Sequence, residues 1–92
     1  MEYTIFKTPN EYAMEIARNM RKVRQKQKLS MKALAEKSNV SYGSIKRFEG
    51  TGQISLTSLL KIAIVLDAAD SFEELFKITE IQSIQEIIDG KI

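Results

Sequence analysis

Cysteine and histidine are both missing from this 92-residue chain. Their absence removes disulfides, thiol nucleophiles, the usual zinc ligand sets and the commonest general base together. An enzyme built from this sequence would have to work without them, and no constellation of catalytic or metal-ligating groups stands out in their place. One proline and four glycines leave no linker, and no repeat or low-complexity segment breaks the chain. The longest unbroken apolar run is Ile62 to Leu66, far too short to span a bilayer. The first residues lack the basic-then-apolar pattern of a secretory signal, so the expectation is a cytoplasmic protein that makes no membrane contact.

What is present bounds the answer further. With 43% apolar and 28% charged residues, the composition is that of one small folded domain. A domain of this size buries a modest core, so pairing with a second copy would add stability. The net charge is only +2, yet it is unevenly placed. Residues 7–47 carry eleven Lys and Arg against Glu11, Glu15 and Glu36, whereas residues 48–92 carry three bases against eight acids. One part of the domain should therefore attract polyanions while the other does not.

Along the chain, residues 1–8 form an N-terminal extension with the alternating run Tyr3-Thr4-Ile5-Phe6, either a short strand for a partner chain or a terminus resting on the domain. Thr8-Pro9-Asn10-Glu11 is a helix start, with Thr8 as N-cap, Pro9 at the first helical position and Glu11 completing a capping box. This helix is expected to reach Gln27 or Lys28 and to turn Ala13, Ile16, Ala17, Met20 and Val23 inward. Ser30 and Ser41 are read as caps of the second and third helices. Gly50 is read as the left-handed residue that closes the third helix, before a surface loop from Thr51 to Ile54. Ser55 caps a fourth helix with Leu56, Leu59, Leu60, Ala63 and Leu66 inward. Ile62, Ile64 and Val65 then exceed what one stripe needs, which favours a dimer face. Ser71-Phe72-Glu73-Glu74 reads as another capping box, its carboxylates explained by the helix dipole rather than by acid–base chemistry. The tail, residues 77–92, places Ile84, Ile87 and Ile88 at the spacing of a short amphipathic helix, which either docks a partner or folds back on its own domain or dimer mate.

The segment Leu29–Gly50, LSMKALAEKSNVSYGSIKRFEG, carries the most information. It reads as two short helices joined by a tight turn, an arrangement suited to placing one helix in a DNA groove. Ala35 is small where the helices cross, Asn39 tolerates the left-handed turn, and Ile45 and Phe48 anchor the second helix inward. Together with Arg24 before it and SLTSLLKIAIVLD after it, this segment resembles the helix-turn-helix of the lambda-repressor-like (Cro/Xre) DNA-binding family, over roughly residues 11–76. The family commonly has glycine where Asn39 stands, and many members begin the second helix with a glutamine that holds a phosphate where this chain has Met31.

The resemblance implies an all-α, five-helix fold, with residues 9–76 as the DNA-binding domain and the third helix as its reader. Tyr42, Gly43, Ser44, Lys46 and Arg47 would then meet base edges, with Arg47 or Lys46 donating to guanine. Arg18, Lys22, Lys32, Ser41, Thr51 and Gln53 would serve the phosphates. Arg24 and Glu49 would form a structural ion pair rather than contact DNA. The implied function is a dimeric repressor on a palindromic double-stranded operator, in a bacterial or phage-derived setting and with no cofactor. By layout the chain is also similar to the antitoxins of Hip-type toxin–antitoxin pairs, which makes residues 83–89 a candidate toxin-docking piece. The alternatives are a phage-type repressor without a toxin, or a protein-interaction adaptor on the same fold. The basic segment argues against the adaptor.

Overall fold

A computed structural model describes residues 7–78 and Gly90. The expected strand over residues 1–8 lies almost wholly outside the described residues. So do the tail helix and the toxin-docking piece at residues 83–89. The described residues form five helices in the order α1 (Pro9–Lys26), α2 (Met31–Ser38), α3 (Tyr42–Thr51), α4 (Leu56–Val65) and α5 (Asp70–Glu73).

Local chemistry explains the first four starts. At α1 the Thr8 hydroxyl accepts from the Glu11 amide at 3.1 Å, and the Glu11 carboxylate accepts from the Thr8 amide at 2.8 Å. Two otherwise orphaned N–H groups are thereby satisfied reciprocally. Ser30, Ser41 and Ser55 each accept from the amide three residues on, an arrangement that stabilises a helix end by about 1 kcal/mol. Between α2 and α3 the chain turns at Asn39, with φ 59° and ψ 30°. Its amide donates to the Ala35 carbonyl at 2.9 Å.

The structure departs from four sequence expectations. Gly50 does not close α3. The helix continues through Thr51, and Gly52, at φ 80°, is the left-handed cap. A β-carbon on Gly52 would lie 3.0 Å from both the carbonyl carbon and the β-carbon of Ala13, so the close approach of α1 fixes where the glycine must be. The Ser71 capping box does not form either. α5 begins two residues earlier, with Ala69 in helical conformation at the cap position and no side-chain cap, because Asp67 at φ 59° and the Ala68 amide bonded to the Ala63 carbonyl close α4 immediately before it. On α4 the inward stripe is rotated. Ile62 is fully buried with Ala63 and Leu66, while Leu56 is 63% exposed. Ile16, expected inward on α1, is also exposed.

The core joins α1 through α4. Phe48 and Ile45 of α3, Leu34 of α2 and Ile62 of α4 are its largest fully buried side chains, packed with Ala17, Met20, Val40 and Leu66. Each such residue contributes about 1.5–3 kcal/mol by leaving water. Because α3 gives both Ile45 and Phe48 to this cluster, its inner face is fixed against α1 and α2, and its outer face is held in one orientation.

Candidate nucleic-acid interface

At 100° per residue, Ile45 and Phe48 point α3 into the core, which leaves Gly43, Lys46, Arg47 and Gly50 on the opposite side. All four are exposed, as are Tyr42 and Ser44 on the flanks. A β-carbon at Gly43 or Gly50 would meet nothing within 4 Å. The two bare positions, one near each end of the ridge, leave the α3 backbone open to close approach from outside.

Hydrogen bonds sort the hydroxyls near this ridge. Ser41 accepts from the Ser44 amide at 3.1 Å and donates its own proton to Ser44 Oγ at 2.8 Å. Ser44 therefore keeps a free proton for an outside acceptor, and Ser41 is occupied with holding the helix start. Thr51 is occupied too: its hydroxyl donates to the Arg47 carbonyl at 2.7 Å and accepts from the Gln53 amide at 3.1 Å. Its one proton thus secures the end of α3, which weakens the sequence expectation that Thr51 serves a phosphate.

Beside the ridge runs a shallow polar groove of about 330 Å³, lined by Ser44, Arg47, Gln53, Ile54, Ser55 and Ser58. It brings together three residues that sequence assigns to the interface, Ser44, Arg47 and Gln53, with three that it does not, Ile54, Ser55 and Ser58. Sequence alone marks Ser55 only as a helix cap. At the start of α4 the first amides and the helix dipole favour negative charge. A guanidinium and a helix N-terminus sharing one polar groove make a setting for an oxyanion. Lys32 is exposed on α2, while Met31 at its first position is partly buried against the core. Arg18 and Lys22 lie on the exposed side of α1, where they add positive field without lining the groove.

Arg24 and Glu49 are placed differently from every residue above. Arg24 is buried, and its Nε and Nη2 donate to the two oxygens of Glu49 at 2.7 and 3.0 Å. Nη1 donates to the Leu29 carbonyl at 2.8 Å. One guanidinium thereby ties α1 to α3 and to the residue leading into α2. Neither group faces outward, and removing one would strand the other in low dielectric. Arg21 approaches Glu49 from the solvent side at 4.0 Å.

A helix-turn-helix family model matches residues 20–69, more than half of the chain. The chain belongs to the Cro/C1-type helix-turn-helix family. Comparisons with curated proteins and with solved structures return no match. The matched span begins within α1, takes in the α2–turn–α3 unit and α4, and stops before α5. As a Cro/C1-type domain the protein is a DNA-binding transcription regulator, and its family is one of regulatory rather than catalytic domains. Among the described residues no helix is long and apolar enough to cross a membrane.

Proposed function

We propose that this protein is a homodimeric repressor that binds a two-fold operator by laying α3 of each protomer in the major groove. The observation that carries the proposal is the α3 ridge: Ser44, Lys46 and Arg47 stand exposed on a helix whose other face is locked into the core. Arg47 is assigned to guanine, Lys46 and Tyr42 to neighbouring base edges, and Ser44 to a base or flanking phosphate. Gly43 lets the helix backbone sit close to the duplex. Gln53 and the start of α4 hold the backbone phosphate that enters the polar groove, while Lys32, Arg18 and Lys22 supply attraction at longer range.

The dimer reading is supported by α4. Leu56 and Ile64 are 63% and 68% exposed, and with half-buried Leu60 they form an i, i+4, i+8 ridge of the kind that packs against another helix. This replaces the face expected from sequence, since Ile62 and Val65 belong to the core side. Two such protomers would read half-sites about 34 Å apart. Occupying its own control region would make the protein an autorepressor.

Gel-shift titration against DNA from upstream of its own coding region tests this reading. A sequence-selective shift is expected that weakens steeply with salt, as for a dimer that displaces counterions at about 6–10 phosphates. Arg47→Ala is expected to cost about 1–3 kcal/mol and to relax the preference at one base position in each half-site. Equal loss on all sequences would reassign Arg47 to a phosphate. A shift indifferent to sequence, or one protomer per site, would overturn the repressor.

A further inference from the structure

The two flanks of α3 are furnished differently. At 100° per residue, Ser44 and Glu49 stand about 140° apart around the helix, on opposite sides of the inward line set by Ile45 and Phe48. The Ser44 flank opens on the polar groove with Gln53, Ser55 and Ser58. The Glu49 flank faces α1, where Arg24, Glu49 and Arg21 meet. Both oxygens of Glu49 already accept from Arg24, at 2.7 and 3.0 Å. Arg21 is surplus to that pair. Its Nε stays 4.0 Å from the carboxylate, and its side chain is 59% exposed where those of Arg24 and Glu49 are 10% and 9% exposed. Two guanidiniums around one carboxylate leave this seam with a net charge of +1, carried by the group nearest solvent. At that distance Arg21 spends none of its five N–H donors on Glu49, so they face outward for another acceptor.

We propose that Arg21 is a further DNA contact, holding a phosphate on the backbone that lies across the major groove from the one entering the polar groove. The inference rests on α3 as the reading helix and gives it a second anchor. A helix seated in the major groove, about 12 Å wide, has one sugar–phosphate backbone on each side, so a contact confined to one flank selects a strand. The Ser44 flank takes one strand and the Glu49 flank the other. Phosphate is the fitting partner, because a guanidinium forks its donors onto two oxygens of one group. Arg24 cancels the Glu49 charge that would repel a phosphate at this seam, which leaves Arg21 to act as a full cation. Arg18, exposed one turn earlier on α1, extends the same cationic row. Anchors on both flanks fix the roll of α3 about its own axis, and with it the base edge that Arg47 reaches.

Gel-shift titrations of the full chain over a series of salt concentrations test the assignment, with Arg21→Gln and Arg21→Lys beside the wild type. Losing one phosphate contact from each protomer of a dimer is expected to flatten the slope of log K against log salt by about 1.8, at about 0.9 for each phosphate. Arg21→Lys should restore the slope. Arg21→Gln should weaken binding by one common factor on every sequence and leave the urea midpoint at its wild-type value, since an exposed pair at this distance adds little to the fold. An unchanged salt slope in Arg21→Gln would overturn the contact, whatever the midpoint did. Single methylphosphonate substitutions along a half-site then locate the strand. The position to which Arg21→Gln has become indifferent is expected on the opposite strand from the position to which Gln53→Ala has become indifferent. Both on one strand would overturn the two-flank arrangement. A wild-type chain that shifts no DNA would remove the operator reading and this contact with it, a failure seen before any variant is compared.

Discussion

α2 and α3 each start on a serine whose hydroxyl accepts from an amide in the first turn, each stop on a left-handed residue, Asn39 or Gly52, and each bury at least one large apolar side chain. α5 starts on Ala69 with no side-chain cap, runs for four residues and buries none of them. The first region is specified several times over and the second hardly at all, and the family match stops between them. Reading a base sequence demands side chains held in fixed positions, which the doubly capped, core-anchored pair supplies. The α5 region instead leaves Leu75, Phe76 and Ile78 in water. That is the condition of a surface completed by something else.

The contrast can be broken hardest at Glu49. Replacing it with alanine strands the buried Arg24 guanidinium and is expected to cost about 3–5 kcal/mol in urea denaturation. Arg24→Met combined with Glu49→Leu should recover most of that loss, because no lone charge is left buried. Next comes the pair of glycines. Gly52→Ala should cost at least about 2 kcal/mol, since the left-handed penalty alone is about 1–2 kcal/mol and the new β-carbon also meets Ala13. Gly50→Ala, helical and facing open space, should gain about 1 kcal/mol. If the two behaved alike in thermal melts, the α1–α3 contact would not be what selects the glycine.

Smaller effects sharpen the same comparison. Ser41→Ala should cost about 1 kcal/mol as a lost cap, whereas Ser71→Ala, which caps nothing, should stay within about 0.5 kcal/mol. The smallest effect belongs to Lys7 and Glu15, paired in solvent at 2.6 Å. Hydrogen bonding to Lys7 holds the Glu15 carboxyl below its ordinary pKa. The same bond holds the Lys7 ammonium above its own. The support from Glu15 is complete above the carboxyl's unfolded pKa and fades as pH falls through its depressed value. The support from Lys7 is complete below the ordinary lysine range and fades as pH rises through the raised one. Glu15→Gln should therefore shift the denaturation midpoint slightly near neutral pH, and not at all in about 1 M salt, where screening reaches about 3 Å.

Most of the reading head was legible in the sequence because its determinants are local. Thr8, Ser30, Ser41 and Ser55 announce helix starts within four residues, and Asn39 announces the turn. Gly52 was not legible, because two glycines stand two residues apart and the choice between them is made by Ala13, thirty-nine positions away. The phase of α4 was hidden for a different reason: nearly every residue from Leu59 to Leu66 is apolar, so periodicity offers no contrast from which to read a buried side. In the candidate interface, the exposed ridge followed from the helix period alone. The groove uniting Arg47 with Ser55 and Ser58 did not, since it exists only once α4 is docked.

The guanidinium of Arg24 grips the Glu49 carboxylate with one edge and the Leu29 carbonyl with another, so α1, α3 and the approach to α2 share a single clamp. A reading head clamped in this way has little freedom to re-tilt against an imperfect site. The compliance in any complex must then come from the duplex, and base steps that bend or untwist easily will be favoured even where no side chain reaches them.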